Sequence, residues 1–178
     1  LYQEQYNRPA YRFYWGGKMT PAVRAILIAN VAVFIVQMAT AEKIDLSYIF
    51  GENIGAFRPW QLITGMFLHV DVWHIVFNML ALWMLGRDVE RSIGGKQFLV
   101  LYFAGGIVSG LCWLGIETLR GTMGIAVGAS GAVFAVLVAF AMLFPDRRFW
   151  GIIKATYFVI GLVAFEVRSR PRVGGNSS

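Results

Sequence analysis

The chain has 178 residues, 57% of them hydrophobic and 15% charged, with a formal net charge of +6. That balance is too apolar for an ordinary soluble domain. The lysines and arginines flank apolar runs, where they meet lipid headgroups and set orientation, so the positive charge is not a nucleic-acid footprint.

Residues 1–20 are polar and aromatic, carry Arg8, Arg12 and Lys18, and read as a juxtamembrane lead-in. A membrane domain follows over residues 21–167. A bilayer core of about 30 Å needs roughly 20 apolar residues per helix, and the first such run extends from Pro21, suited to an early helical position, to Thr40. Residues 41–59 mix Glu42, Lys43, Asp45, Glu52 and Arg58 with apolar side chains and predict a long interfacial loop with short helices. The second span occupies 60–86. Its core, Trp73 to Leu85, is short, so Trp60–Leu68 is predicted as a separate membrane-dipping piece. Arg87-Asp88-Val89-Glu90-Arg91 closes that helix and Gly94-Gly95-Lys96 turns the chain.

The third span covers 97–116 and contains Gly106-Ile107-Val108-Ser109-Gly110, a small-residue pattern that permits close helix approach. Residues 117–127 form a polar loop. The fourth span covers 128–144 and is stopped by Pro145. A fifth covers 149–167, and 168–178 is a loop or tail. The fold class is therefore an all-α polytopic membrane protein with five transmembrane helices. Arg8, Arg12, Lys18, Arg24, Arg87, Arg91, Lys96, Arg147, Arg148 and Lys154 fall on one side, against Lys43, Arg58 and Arg120 on the other. Ten against three places the N-terminus inside.

The only histidines are His69 and His74. His74 and Asn78, four apart, share a helix face about 6 Å from one another. Polar side chains in a bilayer face the protein interior or a cavity. There, an imidazole N–H and an amide can both point at a developing oxyanion, or they can simply tie helices together. Ser130 stands in Gly128-Ala129-Ser130-Gly131-Ala132 at the start of the fourth span. By itself it reads as a packing serine, with Gly131 and Ala135 on a helix-contact face. Gly128 permits an unusual backbone turn, and a helix N-terminus offers free N–H groups and a positive dipole end to an anion. His69 and His74 are five apart, with Asp71 between them, which is not the spacing of a zinc site. The lone Cys112, inside an apolar run, neither forms an internal disulfide nor builds a metal site.

The run from His69 to Asn78 (HVDVWHIVFN), followed by Gly128-Ala129-Ser130-Gly131, resembles the rhomboid intramembrane serine proteases of bacterial type. Phe57-Arg58-Pro59-Trp60-Gln61 and the Gly86–Glu90 stretch extend the likeness over residues 20–167. The resemblance implies a rhomboid-like helical bundle of six transmembrane helices, five of them present. It implies Ser130 as the nucleophile of a Ser-His dyad. His74 and Asn78 would support the oxyanion hole. His69 would lie near the site in an unassigned role, with Gly128 beside it and Phe134 at a position where an aromatic packs on the catalytic histidine. The loop at 41–59 matches a membrane-embedded first loop. The implied reaction is endopeptidase cleavage of transmembrane segments of other membrane proteins, with small residues near the scissile bond and no metal or organic cofactor. The expected partners are those substrates and the lipid bilayer; the oligomeric state is left open. The expected location is the bacterial cytoplasmic membrane.

One departure stands out. The family's general base is a histidine on a sixth helix, and none of the 48 residues after Ser130 is histidine. His74 holds a different place in the family pattern and is not carried over as the base. The chain is accordingly read as truncated before the last catalytic helix and, as given, inactive. The alternative is a non-catalytic rhomboid-like pseudoprotease that binds membrane clients. A transporter is not supported, since neither a symmetric repeat nor charges along several spans are seen.

Overall fold

The computed structural model describes residues 18–145, together with the backbone of two short strands at 148–149 and 153–154. Helix α1 runs Pro21–Thr40, with the predicted bounds. Its entry geometry comes from a distant residue. Glu90 is buried and accepts from Ala22 N–H at 3.0 Å and Val23 N–H at 2.9 Å. These are two of the donors that a helix leaves unsatisfied at its N-terminus, and Pro21 has no N–H to satisfy.

The interfacial loop holds α2 (Leu46–Phe50), strand β1 (Glu52–Asn53) and a 3-10 turn (Ile54–Ala56). Short helix α3 (Gln61–Thr64) continues into a 3-10 turn (Gly65–Phe67). The chain then bends by 97° into α4 (Val72–Ala81), so the second span is broken as the sequence predicts. Asp71 caps α4, its carboxylate accepting from the His74 N–H at 2.8 Å. The bend is pinned to α1. Gln37 donates from Nε2 to the His69 carbonyl at 2.8 Å, and its Oε1 accepts from the His69 N–H at 3.1 Å.

The segment Arg87–Glu90 does not close this helix. A π turn (Leu82–Gly86) carries it into α5 (Arg87–Ile93), and Arg87 and Glu90 are buried. The physical reason is the partner each charge finds: Glu90 caps α1, and the Arg87 guanidinium lies over the Trp83 ring at 4.7 Å.

Helix α6 (Gly95–Arg120) has 26 residues, about 39 Å at 1.5 Å per residue, longer than the predicted third span at both ends. It stops at Gly121, whose φ of +66° lies in the left-handed region favoured by glycine. Strand β2 (Ile125–Ala126) precedes α7 (Ser130–Leu143). Helices α6 and α7 form the most extensive contact in the fold, with Gly105 against Ala135 and Ser109 against Gly131. Gly106 and Gly110 have a different use from the predicted helix contact. Gly106 receives the Met66 side chain and Gly110 the Glu52 carboxyl, so that face of α6 seats the dipping segment and the interfacial loop. The core among these elements includes Val23, Leu82, Val89, Phe98, Tyr102 and Phe140.

Helices α1 and α6 are each long and apolar enough to cross a bilayer, and the bent pair, counted as one span, brings the number to three among the described residues. Helix α7 is apolar but has only 14 residues. Of the predicted fifth span, Arg148–Phe149 (β3) pairs antiparallel with Ile153–Lys154 (β4), a short hairpin where the helix was expected to begin. The rest of that span, the lead-in before Lys18 and the C-terminal tail lie outside the described residues.

Candidate functional site

Strand β1 pairs antiparallel with β2, Glu52 opposite Ala126 and Asn53 opposite Ile125. This stitches the interfacial loop to the segment that leads into α7. A second stitch lies beside it. The Gly128 N–H donates to the Gly65 carbonyl at 2.8 Å, tying the same segment to the 3-10 turn of the dipping piece. Gly128 adopts φ +124°, a conformation that side chains rarely tolerate. Space demands glycine as well. A Cβ there would stand 2.6 Å from Cε1 and 2.9 Å from Nε2 of His74. The imidazole of His74 is thus laid against the backbone two residues before Ser130.

Ser130 opens α7 and is exposed. Asn78 is buried one turn beyond His74, and its Nδ2 donates to the His74 carbonyl at 3.0 Å, which leaves its second amide hydrogen for another acceptor. His69 is fully buried at the bend. Its ring meets that of His74 edge-on at 5.1 Å and that of Phe34 at 6.4 Å. Phe134, one turn after Ser130 on α7, is 39% exposed. Six residues far apart in sequence therefore fall into two groups: His69, His74 and Asn78 on α4 and its entry bend, and Gly128, Ser130 and Phe134 around the start of α7. The Gly128–His74 contact joins the two.

A cavity of about 260 Å³ opens beside Ser130, with Ser109, Gly110, Trp113, Val127, Gly128 and Glu52 in its walls. Glu52 was read in the sequence only as one of several loop charges. It is 6% exposed, and its Oε2 has no hydrogen-bond partner among the described residues. Burial pushes its carboxyl up from the ordinary value to about 7. The sign of the pH effect follows. The unfolded carboxyl titrates near 4.5 and the folded one near 7, so the folded state holds the proton longer. Stability contributed by Glu52 is complete below about 4.5 and is lost as the pH rises to 7, by at most about 3 kcal/mol. Thermal unfolding in detergent across pH 4.5–8 is expected to show the wild type falling relative to Glu52→Gln. Parallel curves would contradict this.

A membrane-embedded helical protein with a cavity of mixed lining at the break of one span and the start of another is the class that these features define. The profile of the Rhomboid domain family matches residues 56–169, and the chain belongs to the rhomboid family. It is 34% identical over 129 residues to the mitochondrial Rhomboid protein 1 of Saccharomyces cerevisiae, covering 71% of this chain and 37% of that one. It is 30% identical over 153 residues to Rhomboid protease GluP of Bacillus subtilis, covering 83% and 29%. Over 138 residues it is 28% identical to the mitochondrial Presenilin-associated rhomboid-like protein A of Danio rerio, covering 76% and 36%. The chain spans about a third of the length of these curated relatives. They come from mitochondria as well as a bacterium, so the likeness is not confined to bacterial members.

Proposed function

We propose that the protein is an intramembrane serine endopeptidase that cleaves transmembrane segments of other membrane proteins. The observation that carries this reading is the seating of the His74 ring against Gly128, at the entrance to a helix whose first residue is Ser130. The first N–H groups of α7 have no intrahelical acceptor. Together with His74 and Asn78 they supply donors for a tetrahedral oxyanion next to the serine hydroxyl. The reaction begins with Oγ of Ser130 attacking the scissile carbonyl as a histidine takes its proton. An acyl-enzyme forms as the amine leaves, and water releases the acyl group. Within residues 1–178 that histidine is not assigned. The N-terminus lies on the inner side of the membrane.

A fluorophosphonate probe reports an activated serine independently of any substrate choice. The full-length protein in detergent is expected to label at Ser130, located by peptide mass mapping, and to hydrolyse a fluorogenic transmembrane peptide. Absence of both signals would remove the protease reading and leave client binding without cleavage.

A further inference from the structure

Building on the protease reading, we propose that Gln37 of α1 is a positioning residue for the oxyanion site: it fixes His69 at the bend, and His69 in turn sets the orientation of the His74 ring.

Gln37 is a half-buried polar side chain near the end of α1, between the exposed Val36 and Met38. A glutamine among apolar neighbours needs a partner, and its amide carries both a donor and an acceptor. Gln37 commits both to one residue. Its Nε2 donates to the His69 carbonyl at 2.8 Å, and its Oε1 accepts from the His69 N–H at 3.1 Å. His69 lies between the 3-10 turn that ends at Phe67 and α4, which begins at Val72, so no helix or strand supplies partners for its backbone. Two bonds to one residue fix its place and its rotation together. Phe34 stands three residues before Gln37 and so shares its face of α1. The Phe34 ring meets the His69 ring edge-on at 6.4 Å. One face of α1 therefore holds both the backbone and the ring of His69, which is fully buried.

That placement passes on to His74. The two imidazoles meet at 5.1 Å with their planes 67° apart. His74 is only half-buried, and the outer torsion of a histidine is intrinsically broad, so its ring takes its orientation from what touches it. Those contacts are Gly128 and His69. A displacement of about 1 Å in a group that must meet a transition state can cost on the order of a hundredfold in rate, which is the leverage open to a residue of α1 that never touches the substrate.

The alternative is that Gln37 only holds the bend together. The full-length protein in detergent separates the two roles, at a temperature where every variant stays folded by circular dichroism. Gln37→Met keeps the length of the side chain and removes both hydrogen bonds. It is expected to lower kcat for a fluorogenic transmembrane peptide by about tenfold or more, with KM within about twofold. Fluorophosphonate labelling of Ser130 is expected to slow by the same factor, and because it needs no bound peptide helix, its rate reports the site itself. Glu90→Ala is the control. It loosens α1 at Ala22 and Val23, about 22 Å along the helix from Gln37, and is expected to leave kcat within about twofold. Equal losses in the two variants, or a Gln37→Met effect confined to KM or to the unfolding temperature, overturn the proposal. Should Gln37→Met not fold, Gln37→Glu, which keeps the acceptor and loses the donor, is read by the same criteria. If the wild type neither labels nor cleaves, the protease reading fails, and the link from α1 to His74 is decided by NMR of protein carrying carbon-13 at histidine Cε1. The His74 signal, assigned by its absence from His74→Gln, is expected to shift in Gln37→Met and to stay in place in Glu90→Ala. A signal unmoved by Gln37→Met overturns the link.

Discussion

Replacing Ser130 by alanine in the full-length protein is expected to lower kcat/KM by about a millionfold, the scale on which losing a serine nucleophile acts, while leaving the unfolding temperature in detergent unchanged. The second half of that statement makes the first informative. A serine in a membrane helix ordinarily bonds back to a carbonyl or fills a helix contact, and its loss then shows as instability. Ser130 is exposed, provides no cap for α7, and its hydroxyl makes no hydrogen bond among the described residues. The packing that the sequence suggested for this region is carried by its neighbours, Gly131 against Ser109 and Ala135 against Gly105. A Ser130→Ala protein that melts several degrees lower and retains turnover would reverse the assignment.

Glu90→Ala is expected to have the largest effect on stability, about 2–4 kcal/mol. Two buried backbone donors, the N–H groups of Ala22 and Val23, lose their acceptor together, and each orphaned buried group costs about 1–3 kcal/mol. Bulk solvent has little access to replace the carboxylate, since Glu90 is 5% exposed. Glu90→Gln is expected to fall between the two, because its amide keeps one accepting oxygen and turns an N–H₂ toward the other donor. Unfolding in detergent monitored by circular dichroism measures both. A shift below about 0.5 kcal/mol for Glu90→Ala would show that α1 is held by packing alone.

Much of this molecule was readable from the order of its residues. The first span is bounded by Pro21 and by the end of its apolar run, both local signals. The break in the second span shows in the shortness of its apolar core, Trp73 to Leu85, which leaves Trp60–Leu68 as a separate piece. The pairing of His74 with Asn78 is a matter of helical spacing, and the two motifs together point to the rhomboid family. The illegible parts depend on partners distant in the chain. Glu90 sits in a charged stretch that resembles a helix end, and only the approach of α1 from 67 residues away reveals its acceptor role. Glu52 looks like any loop carboxylate until β1 meets β2 and turns it toward Gly110. Gly106 and Gly110 carry the right pattern for close packing, but spacing cannot say whether a helix or a loop fills the groove. The hairpin of β3 and β4 replaces the expected start of a helix, and no periodicity in that short apolar stretch separates the two.

The pairing of β1 with β2 also has a consequence for the order in which the protein forms. Its partners, Glu52 and Ala126, are 74 residues apart, with the bent span and all of α6 between them. Closing so long a loop is entropically unfavourable until the intervening helices have been inserted and docked. The stitches that bring Gly128 to His74 are therefore late events in folding. On the protease reading proposed above, a chain still emerging into the membrane carries Ser130 without its surroundings and gains activity only once its architecture is finished.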